Sequence, residues 1–305
     1  MNRVFAICLS FLMLAEVGSA ADFSVKENVG EHVEVLHKGR VLTRLMTARD
    51  DSTRKRTHET YKVYMHVIDP LDPEGKRLIT KGPGGQYTHH RGIFIGWSKM
   101  TVGDQIGNWW QCTGDARQAY TGIISKEAGD DKIVLAVGVE WKNGDVVVIT
   151  EVREFTIFKP DAKGSFMIEK KSSLTAVAGD AELNGNPDHG GCQFRPSAEV
   201  SKNKSAKYLV PGNVAVGKAR DLPWAAETFK LGDNDYLIQH LSDPGLPKGT
   251  RYSAYRNYGR FGAFPVDKIA MGETKSYRFG FYISTGTLPD DETDMQKRWN
   301  AFAGK

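Results

Sequence analysis

Residues 133–158 read IVLAVGVEWKNGDVVVITEVREFTIF, two apolar-rich runs on either side of Asn143-Gly144. Asn-Gly is the strongest two-residue hairpin signal, because both central positions of the tight turn need positive φ. With Lys142 and Asp145 flanking the turn, Trp141 opposes Val146, Glu140 opposes Val147, and Ala136 opposes Glu151. Alternation then sorts the side chains onto two faces. Ile133, Leu135, Val137, Val139 and Trp141 join Val146, Val148, Thr150 and Val152 on a core face. Val134, Ala136, Gly138 and Glu140 join Val147, Ile149, Glu151 and Arg153 on the other. Small residues leave room above a sheet, and the charged ones project into it. That second face reads either as a ligand-bearing sheet or as a solvated face with a cross-strand Glu–Arg pair, which is worth little.

The same punctuation runs outward along the chain. Val33-Leu36, Tyr61-Ile68, Ile93-Trp97, Phe166-Leu174 and Tyr277-Ile283 are short β-branched and aromatic runs bounded by Gly, Asp, Asn and Pro. A helical period is visible only near Asp291–Phe302. The reading is all-β and antiparallel, with one domain over residues 21–305 and its core at about 33–286. Trp141 and Trp224 are expected in the core and Trp110 at the surface.

Met1–Ala20 has a basic start at Arg3, an apolar run from Val4 to Leu14, and small residues at Gly18-Ser19-Ala20. That is the pattern of a cleaved secretory signal peptide, and the run is shorter than the ~20 residues a membrane helix needs. A secreted or periplasmic location follows as an expectation, with no membrane attachment after cleavage. The formal net charge is +4, with acidic and basic residues interspersed, so no nucleic-acid partner is expected. Cys112 and Cys192 remain after processing and are candidates for one disulfide.

The densest polar stretch is Gly82-Pro83-Gly84-Gly85-Gln86-Tyr87-Thr88-His89-His90-Arg91-Gly92, feeding the run Ile93-Trp97. Arg91 offers a forked donor. Adjacent strand residues point to opposite faces, so His89 and His90 share a site only where the loop is irregular. A second stretch, Asn184 to Arg195, contains Asp188-His189 and Gln193-Phe194-Arg195. Imidazole titrates near neutrality, which makes His90 and His189 candidate proton-transfer groups. Glu151 is a candidate carboxylate base. The spacing matches no zinc signature, and neither a metal nor a cofactor is expected. The third stretch, Arg251 to Gly259, places Arg256 and Tyr258 on one face if it is extended. No G-x-S-x-G, P-loop, dinucleotide fingerprint or H-E-x-x-H is present, so those enzyme classes lack their parts.

Several of these runs together resemble a known family. His89-His90-Arg91-Gly92, Trp109-Trp110, Trp141 before Asn-Gly, Glu151-x-Arg153, Arg220-Asp221-Leu222-Pro223-Trp224, Arg256-Asn257-Tyr258-Gly259 and Gly272-Glu273 occur in the order of the DUF6807 domain. The likeness covers about Val33 to Gly286. The methane-oxygenase label often attached to that family is not adopted, since it belongs to a multi-helix membrane protein. The resemblance implies a β-supersandwich similar to galactose-mutarotase-type domains and a sugar site on a sheet face. The epimerase base of that fold has no clear counterpart, because Glu273 reads as part of a turn.

The expectation is an exported carbohydrate-active protein acting on a sugar or oligosaccharide by hydrolysis, elimination or epimerisation. His90, His189 and Glu151 would move protons. His89, Arg91, Trp110, Arg153, Gln193, Arg195, Arg256 and Tyr258 would hold the ligand. The alternatives are a non-catalytic carbohydrate-binding module and a secreted interaction domain.

Overall fold

The computed structural model describes residues 22–289 and 291–305. The leader expected over Met1–Ala20 lies outside them. The chain forms an all-β, antiparallel supersandwich of three sheets. One eight-stranded sheet runs, in spatial order, Phe23–Asn28, His32–His37, Arg40–Met46, Tyr64–Val67, Ile93–Trp97, Gly190–Phe194, Phe261–Phe264 and Arg251–Tyr252; below it is called the histidine sheet. The other runs Lys207–Leu209, Trp224–Leu231, Asn234–Ser242, Thr274–Thr285, Phe166–Ala176, Val146–Phe158, Lys132–Asn143 and Ala116–Ala128. A small sheet of Asp267–Ile269, Ala181–Asn184, Lys99–Val102 and Gln105–Gly107 completes the fold.

Alternation explains how the two large sheets bind. Met65 and Val67, Ile93 and Ile95, and Cys192 and Phe194 point inward from the histidine sheet. They meet Leu135, Val137, Val139, Phe155, Ile168 and Phe281 from the opposite sheet in one continuous core. The Trp97 and Trp141 rings bridge the layers at 6.0 Å. Each fully buried Val, Leu, Ile, Phe or Met side chain of this core contributes roughly 1.5–3 kcal/mol. Tyr64, His66, Phe94 and Gln193 occupy the alternate positions, so they point away from that core, toward the loops that carry the chemistry.

The helix Thr293–Ala303 docks Met295 and Phe302 on Trp224 and Leu241. It ends at Gly304, whose φ of +69° suits the left-handed cap. Trp224 is buried, as expected. No helix among the described residues is long and apolar enough to cross a membrane.

The hairpin departs from the sequence reading in two steps. Asn143 pairs with Val146, so Gly144 and Asp145 form the turn, with Gly144 at φ +57°. That moves the pairing by two residues and preserves the faces. A bulge between Val147 and Ile149 then adds a single residue, and one residue exchanges the faces. Glu151 now opposes Val139 and Arg153 opposes Val137. Both charged residues point into the core, while Thr150 and Val152 are exposed.

The disulfide left open by the sequence does not form. Cys112 and Cys192 are free thiols, because Cys192 faces the inter-sheet core while Cys112 sits in a loop at φ +52°.

Candidate functional site

Two loops and one strand end meet over the outer face of the histidine sheet. The glycine-rich loop enters after Lys81, whose amide donates to Arg195 O at 3.0 Å, and leaves at Gly92, whose amide donates to Lys81 O at 2.9 Å. Tyr87 takes φ +56° and His90 N donates to Tyr87 O at 2.9 Å. That left-handed residue breaks the strand alternation. It lets both imidazoles fall on one side, with ring centroids 4.7 Å apart and edge-on.

The second loop delivers His189. Asn186 caps the short turn Pro187–His189 by accepting from Asp188 N at 2.9 Å. His189 then lies 5.6 Å from His89, ring to ring. Tyr87 stacks on His90 at 5.1 Å and packs at a tilt against Tyr258 at 4.5 Å. His89, His189, Tyr87 and Tyr258 are partly exposed, whereas His90 is buried.

Beneath these rings lies a cationic floor. Arg195 donates to Gln193 Oε1 at 2.6 Å, and its guanidinium carbon stands 5.4 Å from the Trp110 ring. Lys62 reaches the backbone oxygens of Trp110 and, at 3.5 Å, His89, with its ammonium 4.0 Å from the Phe94 ring. Backbone carbonyls, not a carboxylate, meet that charge. His89 Nε2, Trp110 Nε1, and Nε and Nη2 of Arg195 are buried without hydrogen-bond partners. A buried donor left unpaired costs about 1–3 kcal/mol.

Burial and the neighbouring cations set the protonation states. Burial, then Lys62 and His189, bring His89 down to about 3. Burial followed by Arg195 holds His90 well below the usual imidazole range, and the same two causes lower His189. All three imidazoles are therefore neutral at pH 7. Burial brings Lys62 down to about 7 and Arg195 to about 10. Glu227, under the same floor, is pushed up to about 8 by burial. Asp188 is engaged by Arg260 Nη1 at 3.0 Å and by the Tyr255 hydroxyl.

The sequence-derived residues divide accordingly. His89, His90, His189, Gln193, Arg195, Trp110 and Tyr258 come together. Glu151 and Arg153 do not: they form an ion pair with both side chains fully buried in the core. Burial would raise the Glu151 carboxyl, but Arg153 outweighs it and holds the group at about 2. It is an ionised structural partner rather than a base. Arg91 is sealed as well. It donates to the carbonyls of Thr88, His90 (2.9 Å) and His58 (3.1 Å), so it holds the loop's shape instead of meeting solvent.

Two aromatic expectations are also corrected. Trp110 is fully buried against Phe94 at 4.3 Å. Gly96 permits this, because a Cβ there would collide with the Trp109 carbonyl and let no such loop pack on the strand. Arg256 is exposed, since the chain turns at Asn257-Tyr258-Gly259 and Gly259 takes φ +84°. Arg260, after the turn, is the arginine that reaches the site.

The sequence reading missed Lys62, Tyr87 and Arg260. Lys62 had a usable signal, a lone charge inside the run Tyr61-Lys62-Val63-Tyr64. Among the described residues no group of three His, Cys, Asp or Glu is placed to hold a metal ion.

A family model described as a family of unknown function, DUF6807, matches residues 32–300. The chain belongs to DUF6807. No curated protein matches the sequence of this DUF6807 chain. Among solved structures, a heparan sulfate lyase HepC mutant from Pedobacter heparinus is similar at 11% identity and a TM-score of 0.44, with 90% of this chain and 38% of that one covered. A heparinase III is similar at 11% identity and 0.36, with 90% and 38% covered. The galactosidase domain of an alpha-galactosidase-sucrose kinase is similar at 8% and 0.36, with 86% and 42% covered. The DUF6807 chain thus spans less than half the length of these structures.

Proposed function

We propose that this DUF6807 protein is a carbohydrate-active enzyme that removes a proton beside the carboxylate of an acidic sugar and cleaves it by β-elimination. The observation that carries the reading is the grouping of buried, unpartnered N–H groups on Trp110 and Arg195 beneath the neutral imidazoles of His89 and His189. A carboxylate supplies the oxygens those donors need, and charge developing on it in the transition state is stabilised by Arg195 and Lys62.

Neutral His189 takes the proton from the carbon next to the carboxylate. The electron pair moves to form the new C=C bond, the adjacent C–O bond breaks, and Tyr258 at the rim protonates the departing oxygen. A neutral imidazole is the competent form of such a base. Hydrolysis by two carboxyl groups is supported less. Glu227 is buried and mostly protonated at neutral pH, and Asp188 is tied to Arg260 and Tyr255. We also propose that the protein works outside the cytoplasm, on the leader pattern of Met1–Ala20.

The test replaces His89 and His189 separately with alanine and measures binding and turnover of an oligoglucuronate. Turnover lost with binding kept supports the enzyme. Binding by the parent with no turnover on acidic or neutral glycans would leave a carbohydrate-binding protein instead.

A further inference from the structure

A basic cavity is walled by Tyr61, whose ring the Arg91 guanidinium faces from behind. It has a volume of about 510 Å³ and is lined by Arg49, Arg54, His58, Tyr61, Cys112 and Arg117, among others. Arg54 is exposed at its mouth. Three acidic groups face it. Asp115 lines the wall, Asp51 pairs with Arg49 at 2.6 Å, and Asp145 approaches Arg117 only to 3.8 Å from a fully exposed position. Three arginines therefore meet three aspartates, and Arg54 is the one with no ion-pair partner among the described residues.

Buried donors point to a ligand independently of that charge. The hydroxyl of Tyr61 has no hydrogen-bond partner although the residue is only 6% exposed. The Nε of Arg91, whose guanidinium stands 5.2 Å from the Tyr61 ring, is likewise unpartnered, although Arg91 lies behind the wall rather than in it.

The cavity is linked to the histidine site by two connections. Arg91 donates to His58 O on one side and to His90 O on the other. The Trp109–Cys112 turn supplies Cys112 to the cavity and Trp110 to the floor beneath the imidazoles.

We infer that this cavity is a subsite for a second acidic group, a sulfate or a carboxylate, on the same saccharide; this rests on the sugar reading of the histidine cluster. Planar guanidinium forks suit such oxyanions. The substrate class narrows to an oligosaccharide carrying at least two anionic groups.

The probes are inorganic sulfate and a pair of uronate-containing tetrasaccharides, one sulfated and one not, titrated calorimetrically at fixed low ionic strength. The variant is Arg54→Gln/Arg117→Gln, and Lys171→Gln/Lys297→Gln is the control for net charge. Charge-assisted hydrogen bonds are worth about tenfold or more each, so the arginine variant should bind sulfate about a hundredfold more weakly. It should also lose the preference for the sulfated tetrasaccharide. The lysine control should bind sulfate as the parent does.

Equal sulfate affinity in the arginine variant and the lysine control would overturn the subsite, as would a parent that binds no sulfate. A parent that binds sulfate through Arg54 and Arg117 but shows no preference between the tetrasaccharides would overturn its role as a glycan subsite. If the preference depends on these arginines while neither tetrasaccharide is cleaved, the subsite stands and the elimination chemistry fails.

Discussion

Replacing Arg153 with methionine should destabilise the protein by about 3–5 kcal/mol at pH 7, the cost of stripping one partner from a buried ion pair. The size follows from what Arg153 holds. It gives Glu151 two hydrogen bonds, at 2.8 and 2.7 Å, and donates to Val63 O at 2.8 Å and to Gln118 Oε1 at 3.3 Å. In the variant Glu151 keeps Trp141 Nε1 at 2.8 Å but no longer has its counter-charge. The parent's Glu151 sits at about 2, below its usual value, so its contribution is complete above about 4.5 and is lost as pH falls through about 2. Without Arg153, burial raises that carboxyl, so the variant's deficit should be largest near neutrality and shrink toward pH 4.5. Glu151→Leu/Arg153→Met removes both charges and should recover much of the loss, leaving the cost of the unpaired Trp141 donor and of the Val63 and Gln118 acceptors. Urea unfolding followed by tryptophan fluorescence gives the three midpoints. A deficit in Arg153→Met below about 1 kcal/mol, or a double variant worse than the single, would refute the structural reading of this pair.

Further expectations concern the histidine site and pH. His189→Ala should cost roughly 10²–10⁴ in kcat, the usual weight of a general base, with oligosaccharide affinity changed little by calorimetry. His66, His89 and His240 are held at about 3, mainly by burial. The unfolded chain therefore takes up their protons first, and stability should fall as pH drops from about 6.5 toward 3. Glu227 is raised to about 8, so its contribution is complete below about 4.5 and is lost as pH climbs through 8. Glu227→Gln should flatten that decline in thermal scans and exceed the parent's stability above pH 8. Gly96→Ala should cost about 1–3 kcal/mol through overpacking against the Trp109 carbonyl, measured by the same urea midpoints.

The fold was legible because its strands alternate and its turns carry glycine. Ile133, Leu135, Val137, Val139 and Trp141 all face the core as their spacing demands. The first misreading came from a single inserted residue. A bulge between Val147 and Ile149 has no sequence marker beyond consecutive valines, yet it turned Glu151 and Arg153 from a ligand face into the interior. The histidine loop was legible as chemistry but not as geometry. Tyr87 at φ +56° brings His89 and His90 to one side, and a non-glycine residue gives little notice of such a conformation. Lys62 was overlooked because it lies in a strand-like run, where charge is usually solvated. Arg256 and Arg260 exchanged roles because a turn at Gly259 interrupts what reads as one extended strand.

The most direct test is cleavage of a uronate-containing tetrasaccharide in water enriched in heavy oxygen, with products weighed by mass spectrometry. Elimination breaks the C–O bond without adding water. The account therefore predicts an unlabelled reducing end and an unsaturated fragment lighter by one water, both lost in His189→Ala. Heavy oxygen at the new reducing end would show hydrolysis and contradict the proposed role of the histidine cluster.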